Sequence, residues 1–81
     1  MKHARADYDS IQDASGKIPD DEPVFLLRAQ DIVAPNIVRQ WASLALVNGV
    51  DRAMVDRALA HADRMQEWQR VHGRKIPDMP S

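Results

Sequence analysis

The chain has 81 residues, with eleven basic and twelve acidic side chains, a formal net charge of −1 and no cysteine. This balance excludes a polybasic nucleic-acid coat as well as a strongly acidic DNA mimic. No apolar run is long enough to span a bilayer, and the first residues lack the apolar region of a signal peptide, so we expect a cytoplasmic protein. Domains this small often rely on disulfides, metals or oligomerisation, and without cysteine we expect self-association.

The two ends of the chain are predicted to be extended arms. Residues 1–23 hold three basic and six acidic side chains, a balance of −3, and show no helical or alternating apolar pattern. Such a segment orders only where it lies on other structure. The tail, residues 73–81, has the same character. The sequence Lys-Ile-Pro-Asp occurs at residues 17–20 and again at 75–78, and coincidence is the favoured explanation because no longer repeat accompanies it.

A short apolar run at residues 24–28 follows the first arm. Its β-branched and aromatic residues are compatible with a buried strand, whereas the leucines and arginine after Pro23 are good helix formers. We predict a short helix here in preference to a strand. A strand would be alone in the chain, and its backbone groups would have to pair with another subunit or with an arm.

The first main helix is predicted to begin at Pro35, which suits a first helical position, and to end before Gly49. Apolar residues recur at helical spacing at Ile37, Val38, Trp41, Leu44 and Ala45. In the last turn Leu46 and Val47 fall away from this stripe, so the helix is apolar nearly all round. The rest of the chain is too short to cover both sides. We therefore expect a subunit interface that includes Phe25, Trp41, Leu46, Val47 and Trp68.

The second main helix is predicted to begin after Asp51, a good N-cap, and to run about 20 residues to Gly73. Its expected core face comprises Met54, Val55, Ala58, Leu59, Ala62 and Met65. Beyond Met65 the core-facing positions become Gln69 and His72, so the last turns are expected to project from the bundle. The predicted fold is thus mainly α: an αα-hairpin within a helical domain, residues 24–72, between the two arms.

Motifs for catalysis and metal binding are incomplete. Residues 14–17 resemble the end of a phosphate-binding loop, but Ile11 stands where its first glycine belongs and Ile18 where its hydroxyl belongs. His61 has no histidine or glutamate four residues away, and zinc needs at least three protein ligands. No grouping of serine, histidine and acid favours covalent catalysis. We expect neither an enzyme nor a cofactor or metal.

The turn between the helices resembles a helix-turn-helix in the spacing of Ala45, Gly49, Val50 and Val55. A recognition helix presents basic and amide side chains to DNA, whereas this one opens with Asp51 and soon adds Asp56. Because acidic side chains oppose binding to a polyanion, an ordinary hairpin is the favoured interpretation and nucleic acid is an unlikely partner.

A polar stripe on the second helix is the main candidate ligand site. Arg57, His61, Arg64 and Trp68 follow one another at helical spacing. Two guanidinium groups, an imidazole and an indole suit a phosphate and a stacked base. They equally suit a subunit contact, which we favour because Trp and Arg are enriched at interfaces. Arg28, with Gln30 and Asp31, forms a second polar cluster, and capping at a helix boundary is its alternative role.

The string Glu-Pro-Val-Phe-Leu-Leu-Arg-Ala-Gln-Asp at residues 22–31 resembles a group of small proteins encoded by phages and prophages. The similarity extends from Tyr8 through the two helices to residues 75–78 and covers most of the chain. It brings no assigned activity, so no site residues follow from it. It implies an accessory product made in an infected bacterium, and such products often act by binding host components.

We therefore interpret the chain as a non-enzymatic, self-associating accessory protein that sequesters or blocks a host component in the bacterial cytoplasm. That component would be a host protein, such as a defence protein, or a small nucleotide signal bound by Arg57, His61 and Arg64 at a subunit junction. Two alternatives stay open, a helix-turn-helix-like DNA-binding regulator and a minor virion or assembly component. No membrane partner is expected.

Overall fold

A computed structural model describes residues 1–79 of the chain. It consists of two compact units. The first comprises Met1–Leu26 with the C-terminal end from Asp78, and the second comprises Leu27–Pro77. Among the described residues, no helix combines the length and apolar character needed to cross a membrane.

The first unit contains a minimal parallel sheet. Strand β1, Lys2–His3, pairs with strand β2, Pro23–Val24, and the Lys2 backbone amide donates to the Glu22 carbonyl at 2.8 Å. The helix that we predicted for residues 24–28 is therefore wrong. Only Val24 of this run lies in the strand, which pairs with the N-terminal arm because the backbone groups of a lone strand must find a partner elsewhere in the chain. Residues 25–28 form neither helix nor strand.

A turn around Asp13 organises the rest of this unit, after a single turn of 3₁₀ helix at Ala6–Tyr8. The Asp13 carboxylate accepts hydrogen bonds from the Ser15 hydroxyl at 2.7 Å and from the backbone amides of Lys17 at 2.7 Å and Ile18 at 3.1 Å. Gly16 lies at the apex with φ of 69°, where a side chain would be strained. These bonds stabilise the Asp13 anion and lower its pKa, the Ser15 hydroxyl most strongly.

The second unit is the predicted αα-hairpin. Helix α1 spans Ala34–Val47 and helix α2 spans Arg52–His72. The Asp51 carboxylate caps α2 by accepting from the Ala53 amide at 2.8 Å, which confirms the predicted N-cap. Gly49, with φ of 81°, follows the C-cap Asn48 and stops α1, and Gly73, with φ of 89°, ends α2.

The seam between α1 and α2 consists mainly of small residues. The buried residues of the second unit are Ala34, Pro35, Ala42, Ala45, Val55, Ala58, Ala62 and Met65. The predicted core positions of Met54 and Leu59 on the second helix are wrong, because both residues are exposed, and the stripe residues Ile37, Trp41 and Leu44 of α1 are exposed as well. Alanine faces let two helix backbones approach closely, and the bulky neighbours are thereby displaced to the flanks of the seam.

The last turns of α2 hold the chain segment that precedes α1. The Gln69 side-chain amide donates to the carbonyls of Ala29 and Asp31, both at 2.8 Å. Lys75, just beyond α2, exchanges backbone hydrogen bonds with Gln30 and Ile32 at 2.8 and 3.0 Å. The expectation that these turns project from the bundle is therefore wrong at Gln69, because its amide satisfies carbonyl groups that the loop leaves unpaired.

Candidate functional site

A shallow groove of about 390 Å³ lies between the helices on one side of the seam. It is lined by Val38, Trp41, Met54, Arg57, Ala58 and His61. The structure thus brings Trp41, predicted at a subunit interface, together with Arg57 and His61, predicted to bind a ligand. The groove has an apolar floor and a basic rim.

The groove is the centre of a larger surface, which we call the aromatic-basic face. At 100° per residue, Arg57, His61, Arg64 and Trp68 fall within about 60° of one another around α2. The face comprises Ile37, Trp41 and Leu44 from α1 with Met54, Arg57, His61, Arg64 and Trp68 from α2. All eight residues are exposed, and Leu44 is exposed to 65%.

The opposite side of the seam, which we call the paired flank, has balanced charges. Its cations are each joined to an acid: Arg39 to Asp63 at 3.0 Å, Arg52 to Asp56 at 3.0 Å and Arg70 to Glu67 at 2.6 Å. On the aromatic-basic face, by contrast, neither Arg57 nor Arg64 forms an ion pair or hydrogen bond within residues 1–79. The face therefore presents unneutralised positive charge beside exposed apolar surface.

Trp68 extends the face toward the end of α2. Its indole stacks on the imidazole of His72, with ring centroids 4.5 Å apart and an angle of 29° between the planes. One side of the indole is therefore covered within the chain. The four-residue spacing of Trp68 and His72 is a signal that our sequence analysis did not use.

The other predicted site residues lie elsewhere. Leu46 is displaced from Trp41 by about 140° around α1, which places it on the paired-flank side of the seam, and Val47, exposed to 84%, lies on the outer side of the helix. Phe25, exposed to 72%, belongs to the first unit. Arg28 is exposed, and its carbonyl accepts from the Asp31 amide at 3.0 Å. Of the predicted set, the groove lining includes Trp41, Arg57 and His61.

Sequence reasoning missed the part that Met54 plays in this face because it assigned Met54 to the core, and it named Ile37 and Leu44 only as members of an apolar stripe. The signal that was available is the recurrence of alanine at positions 42, 45, 58 and 62, which predicts a narrow seam of small residues. A seam of that kind leaves the neighbouring large residues outside it. The alternative role of capping is not confirmed for Asp31: its carboxylate accepts from the Val33 amide at 2.9 Å in the turn before α1, but the helix has no side-chain cap.

The side chains of the face are of types suited to recognising a ligand. Arginine and histidine at its rim recognise carboxylates or phosphates, and the apolar floor recognises an aromatic or aliphatic group. Within residues 1–79, no three histidine, aspartate or glutamate side chains are placed to hold a metal ion. A ligand that fits the face is therefore an anion with an apolar part.

The chain was compared with known proteins in three ways. No family model matches it, and neither a curated protein nor a solved structure does. The proposals that follow depend on the geometry of the aromatic-basic face.

Proposed function

We propose that this chain is a non-enzymatic binding protein that sequesters or blocks a component of a bacterial host, in the manner of phage accessory products. The observation that carries the proposal is the groove in which Trp41 meets Arg57 and His61, because the Arg57 guanidinium has no acidic partner in the described part of the chain. Unpaired cations beside an exposed tryptophan favour an anionic partner. The proposed site of action is the host cytoplasm.

A protein partner fits the face better than a small molecule does. Trp, Met and Arg are the residue types enriched at the centres of protein interfaces, and Trp41, Met54 and Arg57 stand side by side in the groove. The groove is open and shallow, whereas small-molecule sites usually enclose most of the ligand. We therefore propose an acidic, partly apolar surface of a host protein as the component that is blocked.

A nucleotide signal is the second candidate. Arg57, His61 and Arg64 lie on one side of α2 and suit a phosphate, and the free side of the Trp68 indole suits a base. This version requires donors that enclose the phosphate, which a second subunit would contribute. Isothermal titration with cyclic and linear nucleotides tests this proposal. Binding heat that is measured with the wild-type chain and is lost in the variant Arg57→Glu/Arg64→Glu would favour a nucleotide over a protein as the partner.

The protein-binding proposal is tested by affinity capture with a matched pair of variants. Arg57→Glu/Arg64→Glu reverses the charge of the aromatic-basic face, and Arg52→Glu/Arg70→Glu makes the same charge change on the paired flank. A host protein bound by the wild-type chain and the paired-flank variant, but not by the face variant, is identified by mass spectrometry and purified. Its complex with the wild-type chain is then reconstituted and titrated with salt. A host protein that binds all three forms equally contradicts the proposed site.

The remaining alternatives have their own readouts. A DNA-binding regulator requires affinity for duplex DNA that falls steeply with salt, so the absence of a mobility shift at low salt excludes it. Asp51 caps α2, and Asp56 is paired with Arg52. Both acidic side chains therefore lie at the start of the helix that would enter the major groove of DNA. A virion component would co-purify with particles.

A further inference from the structure

The first unit carries an acidic segment that ends in exposed apolar residues. We define it as residues 20–26, which contain Asp20, Asp21 and Glu22, followed by strand β2 and then by Phe25 and Leu26. The three acids are exposed, and Phe25 is exposed to 72%. Pairing of β2 with β1 holds the middle of the segment extended, so the acids and the phenyl ring lie on either side of a fixed strand.

The two units have opposite charges. Met1–Leu26 with the end from Asp78 contains three basic and seven acidic residues, a balance of −4. Leu27–Pro77 contains eight basic and five acidic residues, a balance of +3, and two of its unpaired cations lie on the aromatic-basic face. A surface with acids and a phenyl ring therefore exists on the same chain as a surface with arginines and an apolar groove.

We infer that the aromatic-basic face of one copy of this chain binds the acidic segment of a second copy, with Phe25 in the groove beside Trp41 and the acids opposite Arg57 and Arg64. The dimensions agree. The chain from Glu22 through strand β2 to Phe25 spans at most about 11 Å, and the two aspartates lie in the turn before it. Along α2, Arg64 lies about 15 Å from Met54 at one end of the groove and about 10 Å from Arg57.

Charge also decides how the copies are arranged. Pairing two aromatic-basic faces about a twofold axis would bring Arg57 and Arg64 of both copies together, and like charges across an interface are unfavourable. Binding of an acidic segment to a basic face joins two different surfaces and is therefore head-to-tail. Such contacts add further copies until a ring closes, so the assembly grows with concentration.

This inference uses the face that the proposed function assigns to a host partner, and it adds that the face is covered by another copy when the partner is absent. A host protein would then bind in competition with self-association. The variants that test this contact replace exposed side chains and not the buried residues of the seam, so we expect them to leave the hairpin intact.

The test is complementation between two variants of the full chain, followed by sedimentation equilibrium. Arg57→Glu/Arg64→Glu removes the basic face and keeps the acidic segment, whereas Asp20→Lys/Asp21→Lys removes the acidic segment and keeps the face. We expect the wild-type chain to grow in mass with concentration at about 0.05 M salt and to dissociate at about 1 M salt, where charges are screened beyond about 3 Å. We expect each variant to stay at the 9.2 kDa of one chain.

Mixing the two variants is the decisive step. In the mixture, one variant supplies an intact face and the other an intact acidic segment. The inference therefore predicts a dimer of twice the mass of one chain, which is 9.2 kDa, and no larger assembly. Phe25→Ala in the wild-type chain should weaken association by at least about tenfold, as expected for an apolar anchor at the centre of an interface. The control Arg52→Glu/Arg70→Glu should associate like the wild-type chain.

Three results overturn the inference. They are a wild-type chain that stays monomeric at every concentration, single variants that associate as the wild-type chain does, and a mixture that forms no dimer. None of these results bears on the host partner, because Asp20→Lys/Asp21→Lys keeps the aromatic-basic face intact and can be used for capture. Conversely, failure of that variant to bind a host protein leaves the self-association data unaffected.

Discussion

The Gln69 side chain offers the sharpest test of how the second unit is held together. Its amide donates to the carbonyls of Ala29 and Asp31 at 2.8 Å each, and it is partly buried. A typical intramolecular hydrogen bond contributes about 1 kcal/mol net, so Gln69→Ala should lower the free energy of unfolding by about 2 kcal/mol. For a chain of this size, that loss corresponds to a fall in Tm of about 8 to 16 °C.

The assay is urea unfolding followed by circular dichroism, at one fixed protein concentration for every variant because self-association would shift apparent stability. Gln40→Ala is the matched control, because it makes the same substitution at an exposed position of α1. We expect it to alter stability by less than about 0.5 kcal/mol. Gln69→Glu keeps the shape but sets an anion against two carbonyl oxygens, so it should destabilise at least as much as Gln69→Ala. If Gln69→Ala matches the control, the hydrogen bonds do not hold this segment.

Three further predictions concern the seam, the helix cap and the turn. Ala62 is 0% exposed, so Ala62→Leu should cost about 1 to 3 kcal/mol in urea unfolding by overpacking the seam, while Ala60→Leu on the exposed side should be near neutral. Asp51→Ala should lower the free energy of unfolding by about 1 kcal/mol, and Asp51→Asn by much less, because asparagine also caps helices. Equal losses for the two variants would contradict the role of Asp51 as the cap. The pKa of Asp13 lies below its ordinary value of 3.8, chiefly because the Ser15 hydroxyl donates to its carboxylate. The ionised Asp13 carboxylate therefore stabilises the fold above pH 3.8, and this stabilisation is lost as the pH falls through the folded-state pKa. Asp13→Asn should flatten that acid dependence, and an NMR titration of the Asp13 carboxyl with a midpoint at or above 3.8 would contradict the assignment.

The elements that sequence reasoning predicted well are those with local physical causes. Pro35 at the start of α1, Asp51 before α2 and Gly73 after it act within one turn of their own positions, and the helices begin and end where these residues require. The αα-hairpin follows from them, because two helices joined by a short turn become antiparallel neighbours. The length of α2, 21 residues, also agrees with the expected run of about 20.

The rest depended on contacts between residues distant in the sequence. Nothing within residues 24–28 shows that the arm at Lys2–His3 will pair with β2, so local propensity favoured a helix there. Periodicity placed Met54 and Leu59 in the core because it counts apolar residues on a helix without knowing which face the other helix can approach. Gln69 illustrates the same limit, since its partners lie about 40 residues earlier.

The candidate face was predicted in its parts and not in its assembly. Arg57, His61, Arg64 and Trp68 follow from spacing along α2 alone, because positions three and four apart share a side of a helix. That Trp41 of α1 completes the groove depends on the packing of the two helices. The absence of acids near Arg57 and Arg64 likewise became visible only when the acids of α2 were seen paired on the other flank.

An alanine seam separates the residues that fold the hairpin from those that would bind. Ala42, Ala45, Ala58 and Ala62 bury little area each, whereas the larger Trp41 and Leu44 remain exposed. In the proposed complexes, burial of these large residues would therefore contribute to binding more than to the folding of one chain. Because the two sets of residues barely overlap, variants of the exposed set report on binding without unfolding the hairpin.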